Sequence, residues 1–144
     1  MKNKRTLLLL LHIIVPIILG TCIYLFTRPD TYISKWILDW WGISSPAVTL
    51  RGLVPWWLWR FLCSYAADIL WAYALTFSVY LIFCSSPVKI LPYMAICCIF
   101  EAGMELLQLF DVLSGTFDVW DIILEVCATA IASLIIKQYR RKQS

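Results

Sequence analysis

The sequence predicts an all-α membrane protein with four transmembrane helices, and three observations carry that expectation. Of 144 residues, 62% are hydrophobic and only 15% are charged, with a mean hydropathy of +0.80, outside the range of soluble globular domains. The apolar residues gather into four runs, at 7–26, 61–83, 90–110 and 119–136. Each is close to the roughly 20 residues a helix needs to cross about 30 Å of hydrocarbon. None alternates apolar and polar residues as the strands of a membrane barrel do. No repeat, low-complexity linker or change of composition divides the chain, so residues 1–144 are expected to form a single polytopic domain.

The net charge of +3 matters less than its distribution. Lys2, Lys4 and Arg5 precede the first run, Lys89 lies between the second and third, and Lys137, Arg140, Arg141 and Lys142 follow the last. With four spans these residues share one side. The other side carries Arg28, Lys35, Arg51 and Arg60 in one long loop, 27–60. The positive-inside rule then places both termini in the cytoplasm. The basic tail reads as an orientation anchor, and no nucleic-acid partner is expected.

In chain order, the first run has a basic start and the stretch Leu19-Gly20-Thr21-Cys22, close to a cleaved lipoprotein signal. Thr21 is unusual before a modified cysteine, and the run continues through Ile23, Tyr24, Leu25 and Phe26, which fits an uncleaved span better. Pro16 is expected to kink that helix. His12 has no carboxylate or cysteine at helical spacing and reads as a packing residue. Cys22, Cys63, Cys84, Cys97, Cys98 and Cys127 fall in or at the ends of spans. They act as small apolar residues and make no zinc pattern.

The outer loop holds Trp36, Trp40, Trp41, Trp56, Trp57 and Trp59 of the chain's eight tryptophans. Ile33, Trp36, Ile37, Trp40 and Trp41 recur at i, i+3, i+4, i+7 and i+8, while Lys35 and Asp39 pair at i, i+4 on another face. That spacing predicts an interfacial helix in the outer headgroup layer. A turn-rich connection over 42–55 and an aromatic belt at Pro55-Trp56-Trp57 then lead into the second span. The helix serves as an anchor or as a platform for an amphiphile, with Arg51 and Arg60 as contacts to anionic groups. The second span contains Asp68, and a cytoplasmic turn at 84–89 with Pro87 follows it.

Acidic residues at bilayer depth cost a few kcal/mol and mark a functional site by default. Glu101, Glu105 and Gln108 share one narrow face of the third span at about 100° per residue. A short loop at 111–117 with Gly115 returns the chain to Asp118, Asp121 and Glu125 on the fourth. Antiparallel neighbours align by depth, so Gln108 is expected near Asp118 and Asp121, and Glu105 near Asp121 and Glu125. Glu101 and Asp68 lie deepest, at about the midplane. No Lys or Arg occurs inside any of the four runs. The acids are therefore expected to be protonated in part, or offset by a cation or a hydrated cavity, and to titrate together. A polar cavity open to the extracytoplasmic side follows, with Arg60 near its mouth. Asp118 is expected to N-cap the fourth helix with Asp121 at the capping-box position, and Gln108 to bond across helices. Glu101, Glu105 and Glu125 have no such structural role.

Glu105-Leu-Leu-Gln108, a short glycine-containing loop, Phe117-Asp118-Val-Trp-Asp121-Ile-Ile-Leu and the small residues Ala128, Ala130, Ala132 and Ser133 resemble the VanZ-like family of small bacterial membrane proteins. The resemblance covers roughly the last third of the chain. Glu125 stands where the family usually has Asn and Ala128 where it usually has Gly, the pattern of a divergent member. It implies a multi-pass protein of the bacterial plasma (inner) membrane with a role in glycopeptide resistance or envelope homeostasis.

The leading expectation is a non-enzymatic cell-envelope protein that binds an amphiphilic or lipid-linked ligand. Its partners would be membrane lipids or lipid-linked envelope precursors, with a homo-oligomer or a partner membrane protein as further possibilities. No cofactor is expected and no catalytic residue is assigned. The alternatives are an enzyme on lipid-linked substrates whose carboxylates hold a divalent cation or act as acid and base, and a small ion- or proton-coupled transporter or accessory subunit.

Overall fold

A computed structural model describes residues 2–43, 47–83, 90–110 and 117–141, and all regular structure among them is helical. Four stretches are long and apolar enough to cross a membrane: Thr6–Thr27, Trp56–Phe83, Leu91–Leu109 and Val119–Arg140. The expected turn at 84–89 and the return loop over 111–116 lie outside the described residues.

Helix α1 (Lys2–Thr27) is apolar on all sides, as suits a helix in lipid, and runs on through Pro16. Neighbouring helices and local adjustment allow a proline inside such a span. The chain then turns, and Thr31 caps α2 (Tyr32–Trp41) by accepting from the Ser34 N–H. At the far end of α2, Gly42 takes the left-handed conformation, φ 64°. Its N–H donates to the Asp39 carbonyl and that of Ile43 to the Leu38 carbonyl, the paired bonds of a Schellman motif that favours glycine there. Ser34 and Leu38 are buried, whereas Ile33, Trp36, Trp40 and Trp41 are exposed. The Trp36 and Trp40 rings stack with centroids 6.2 Å apart.

The connection expected to be turn-rich contains a further short helix, α3 (Ala47–Leu53). The sequence offers no helix breaker between Pro46 and Gly52, and composition across the wider segment masked that local competence. Helix α4 (Trp56–Phe61) passes through a π-helical turn (Leu62–Ala66) into α5 (Ala67–Phe83). The second crossing element thus starts earlier than the apolar run at 61, because the Trp-rich belt is itself helical. Helix α6 (Ile90–Leu109) matches the third run. Helix α7 (Val119–Arg141) extends past the expected 136, since Lys, Gln and Arg are good helix formers outside hydrocarbon.

Helix α5 is the hub. It packs against α1, α6 and α7, and α6 also packs against α7. One half of the bundle is a closed core of Leu9, Phe77, Val79, Tyr80, Tyr93, Cys97, Ala132 and Ile136. His12 lies beside it, stacked on Phe77 at 4.5 Å between centroids, with Nδ1 2.8 Å from the Tyr73 hydroxyl and Nε2 3.4 Å from that of Tyr139. These contacts are those of a packing residue.

Where α1 crosses α5, Gly20 allows close approach. A Cβ there would lie 2.8 Å from Trp71 Nε1 and 3.3 Å from the Ala67 carbonyl oxygen, and small residues permit such contact between membrane helices. Gly103 on α6 faces open space. Gly20→Leu is expected to lower stability by about 1–3 kcal/mol through overpacking. Gly103→Ala should leave the melting temperature unchanged or raise it, because alanine favours a helix over glycine by about 1 kcal/mol. Thermal unfolding of both variants in detergent checks the pair.

Candidate functional site

In the half of the bundle opposite the closed core, the helices enclose a cavity of about 1070 Å³. Its apolar wall includes Ile17 and Tyr24 of α1, Leu75 of α5, and Phe100 and Met104 of α6. Helices α1 and α6 both contribute to its lining, and each packs against α5. Asp68, Glu101, Glu105, Gln108, Asp118, Asp121 and Glu125 all line it. The helical face predicted for α6 and the depth alignment predicted for α7 therefore bring these residues together.

Arg60 is exposed and is not among the lining residues. The cation in the cavity is Arg28, which lies just beyond the end of α1. Its Nε donates to the Cys63 carbonyl at 2.6 Å and its Nη2 to the Ser64 carbonyl at 2.9 Å. Nη2 also lies 3.6 Å from Asp68 Oδ2, and the guanidinium sits 5.5 Å from the centroid of the Tyr24 ring. Both carbonyls belong to the π-helical turn. Such turns depart from the i→i+4 ladder and recur at functional sites. Here the turn presents two adjacent acceptors that match the fork of an arginine. The basic residue that lines the cavity is thus Arg28, which the sequence reading places in the outer loop without a role at the site. Arg28 lies outside the apolar run, but its long side chain reaches back along the protein, as such chains do near helix ends. A signal was present in the sequence: Arg28 follows Tyr24 by one helical turn at the end of a span.

The acids are held in different ways. Glu101 Oε1 accepts from the Thr129 hydroxyl at 2.7 Å, and that hydroxyl accepts from Thr76 at 3.1 Å. This chain of bonds ties α5, α7 and α6 together. Glu105 Oε1 accepts from Gln108 Nε2 at 3.3 Å, so Gln108 bonds within its own helix, not across helices. Glu105 Oε2 accepts from the Asp118 backbone N–H at 3.4 Å. Asp118 caps α7 through Oδ1, which accepts from the Trp120 N–H at 2.9 Å, and Oδ2 accepts from the Tyr65 hydroxyl at 3.2 Å. In a capping box the acid three residues on reaches back to the N-cap N–H. Glu105 of the neighbouring helix takes that role, and Asp121 does not.

Among the described residues, three carboxylate oxygens of the cavity-lining acids are buried without a hydrogen-bond partner: Glu101 Oε2, Asp121 Oδ1 and Glu125 Oε2. Glu101 and Glu105 are only 4% and 5% exposed. The charged groups that act on Glu125 are Glu101, Asp68, Glu105 and Asp121, all acids. Among the described residues, no group of three or more His, Cys, Asp or Glu side chains is placed to hold a metal ion.

Four apolar helices that could cross a membrane, wrapped around an acid-lined cavity, are the make-up of a multi-pass membrane protein. The chain matches no protein-family model, no curated protein and no solved structure.

Two variants separate the contributions to Arg28. Arg28→Lys cannot serve two carbonyls with a planar fork and should cost about 1–3 kcal/mol through an unsatisfied acceptor. Asp68→Asn should change stability by less than about 1 kcal/mol, since the ion pair is long and partly exposed. Urea unfolding in mixed micelles reads both. Equal losses would make the ion pair, not the carbonyl clamp, the main contact.

Proposed function

We propose that this chain is a divergent VanZ-like protein of the bacterial plasma membrane, with both termini in the cytoplasm. It binds an amphiphilic or lipid-linked ligand of the cell envelope in a cavity facing the outer leaflet. The observation that carries the reading is the cavity itself: about 1070 Å³, just above the roughly 300–1,000 Å³ typical of small-molecule sites, with apolar walls and convergent polar groups. An amphiphile needs both surfaces. Its chain would lie between α1 and α6, against Ile17, Phe100 and Met104, while its polar head reaches the carboxylates.

The exposed tryptophans of α2 support the same reading. With Trp36, Trp40 and Trp41 exposed at one end of the bundle, α2 would rest in the outer headgroup layer, where tryptophan is favoured. There it would meet membrane amphiphiles as they approach the cavity. The orientation rests on the basic residues that flank the spans, and the family assignment on the Glu105-x-x-Gln108 and Phe117-Asp118-x-x-Asp121 pattern.

Met104 is partly exposed at the edge of the cavity, so a larger side chain there fills space without displacing the core. Met104→Trp is expected to weaken saturable retention of co-purifying or added lipid by about tenfold or more, equivalent to 1.4 kcal/mol. The melting temperature should be nearly unchanged. Lipid retention identical to that of the unaltered protein would contradict binding in the cavity. For topology, a fluorescent-protein fusion at the C-terminus should be bright, and an alkaline phosphatase fusion there inactive. The reverse result would invert the cavity toward the cytoplasm.

A further inference from the structure

We infer that the exposed surface of α3 and α4, at the end of the bundle that carries α2, docks anionic phospholipid headgroups, with Arg51 and Arg60 holding the phosphate. Neither arginine lines the cavity, so this surface is separate from the amphiphile site and goes beyond that reading.

Helical spacing sets the aromatic part of the surface. Trp56, Trp57, Arg60 and Phe61 of α4 are exposed, whereas Leu58 and Trp59 are partly buried. Residues at i, i+1, i+4 and i+5 share one side of a helix, so Arg60 stands one turn on from Trp56 within an aromatic stripe. Trp56 is 75% exposed, and Leu53 at the end of α3 is 74% exposed. This stripe opens the second crossing stretch. Tryptophan at the end of a span is favoured at headgroup level, which is also where lipid phosphates lie.

Charge selects among headgroups. Over residues 27–60, Arg28, Lys35, Arg51 and Arg60 outnumber Asp30 and Asp39. Arg28 is engaged with the Cys63 and Ser64 carbonyls and lies beside Asp68, and Lys35 pairs with Asp30 at 3.8 Å. Arg51 and Arg60 are exposed, and among the described residues neither makes an ion pair. Both lie near the same turn. Helix α4 ends on Arg60 and Phe61 and runs into the π-helical turn that Arg28 clamps, and the charge of Arg51 bears on Cys63 of that turn. Guanidiniums gathered around one turn repel each other, and a phosphate relieves the repulsion. The planar fork of arginine also matches phosphate oxygens in pairs. A zwitterionic lipid brings its own cation to the same surface and gains less.

The test uses purified protein in a nonionic detergent with radiolabelled phosphatidylglycerol as the tracer. The unlabelled competitors are phosphatidylglycerol, phosphatidylcholine with the same acyl chains, and soluble glycerol phosphate. The inference predicts saturable binding, with phosphatidylglycerol displacing the tracer at concentrations about tenfold or more below phosphatidylcholine and no displacement by glycerol phosphate. Arg51→Gln and Arg60→Gln should each lower the preference about fivefold, equivalent to about 1 kcal/mol. The double variant should lose it, with helicity and elution unaltered because both side chains are exposed. The preference should persist in Met104→Trp, whose change lies at the cavity. Equal displacement by the two lipids, or a preference retained in the double variant, would overturn the inference. Loss of the preference in Met104→Trp alone would also overturn it, and would assign the anion preference to the amphiphile site. Displacement by glycerol phosphate as effective as by the lipid would overturn a membrane headgroup as the partner.

Discussion

A carboxylate placed among membrane-spanning helices has to be solvated from inside the protein, because hydrocarbon offers it nothing. The rest of this structure follows from that constraint. The acids of α5, α6 and α7 fall within one half of the bundle, and there the helices stand apart around a cavity. In the other half, Phe77, Tyr80, Tyr93, Cys97 and Ala132 close them together. Separation in one half is sustained by tight packing in the other, with α5 common to both and Gly20 bringing α1 against it.

Donors for the acids come from unlike sources. Thr129 of α7 supplies a hydroxyl to Glu101 and itself accepts from Thr76 of α5. The start of α7 supplies backbone N–H groups, one to Asp118 and one to Glu105, at the helix end where negative charge is favoured. Arg28 supplies a guanidinium whose placement depends on the π-helical turn, and that turn also begins the approach to Asp68. The supply ends at Glu101 Oε2, Asp121 Oδ1 and Glu125 Oε2, which are buried with no partner among the described residues.

The four crossing helices were legible because hydropathy over about 20 residues is a strong signal, and the cavity-facing set on α6 was legible because 101, 105 and 108 repeat at helical spacing. Depth alignment across the return to α7 correctly gathered Asp118, Asp121 and Glu125 with them. Arg28 shows what pattern alone misses. It sits just past the end of an apolar run, and only the carbonyls that its side chain meets place it at the cavity. The π-helical turn at Leu62–Ala66 has no compositional mark, so the carbonyl pair that captures Arg28 could not be anticipated. Likewise, Asp121 stands at the capping-box position, yet Glu105 from another helix reaches the N-cap N–H first. A local motif was displaced by a tertiary contact.

One half of the bundle holds a polar cavity while the other is closed. The native cysteines provide the most direct measurement. Cys63 lines the cavity, whereas Cys97 is fully buried in the closed core. Intact membranes exposed to a small, charged methanethiosulfonate, followed by peptide mass spectrometry, should show modification of Cys63 and none of Cys97. Modification of Cys97 at a comparable rate, or protection of Cys63 equal to that of Cys97, would contradict the division of the bundle into open and closed halves.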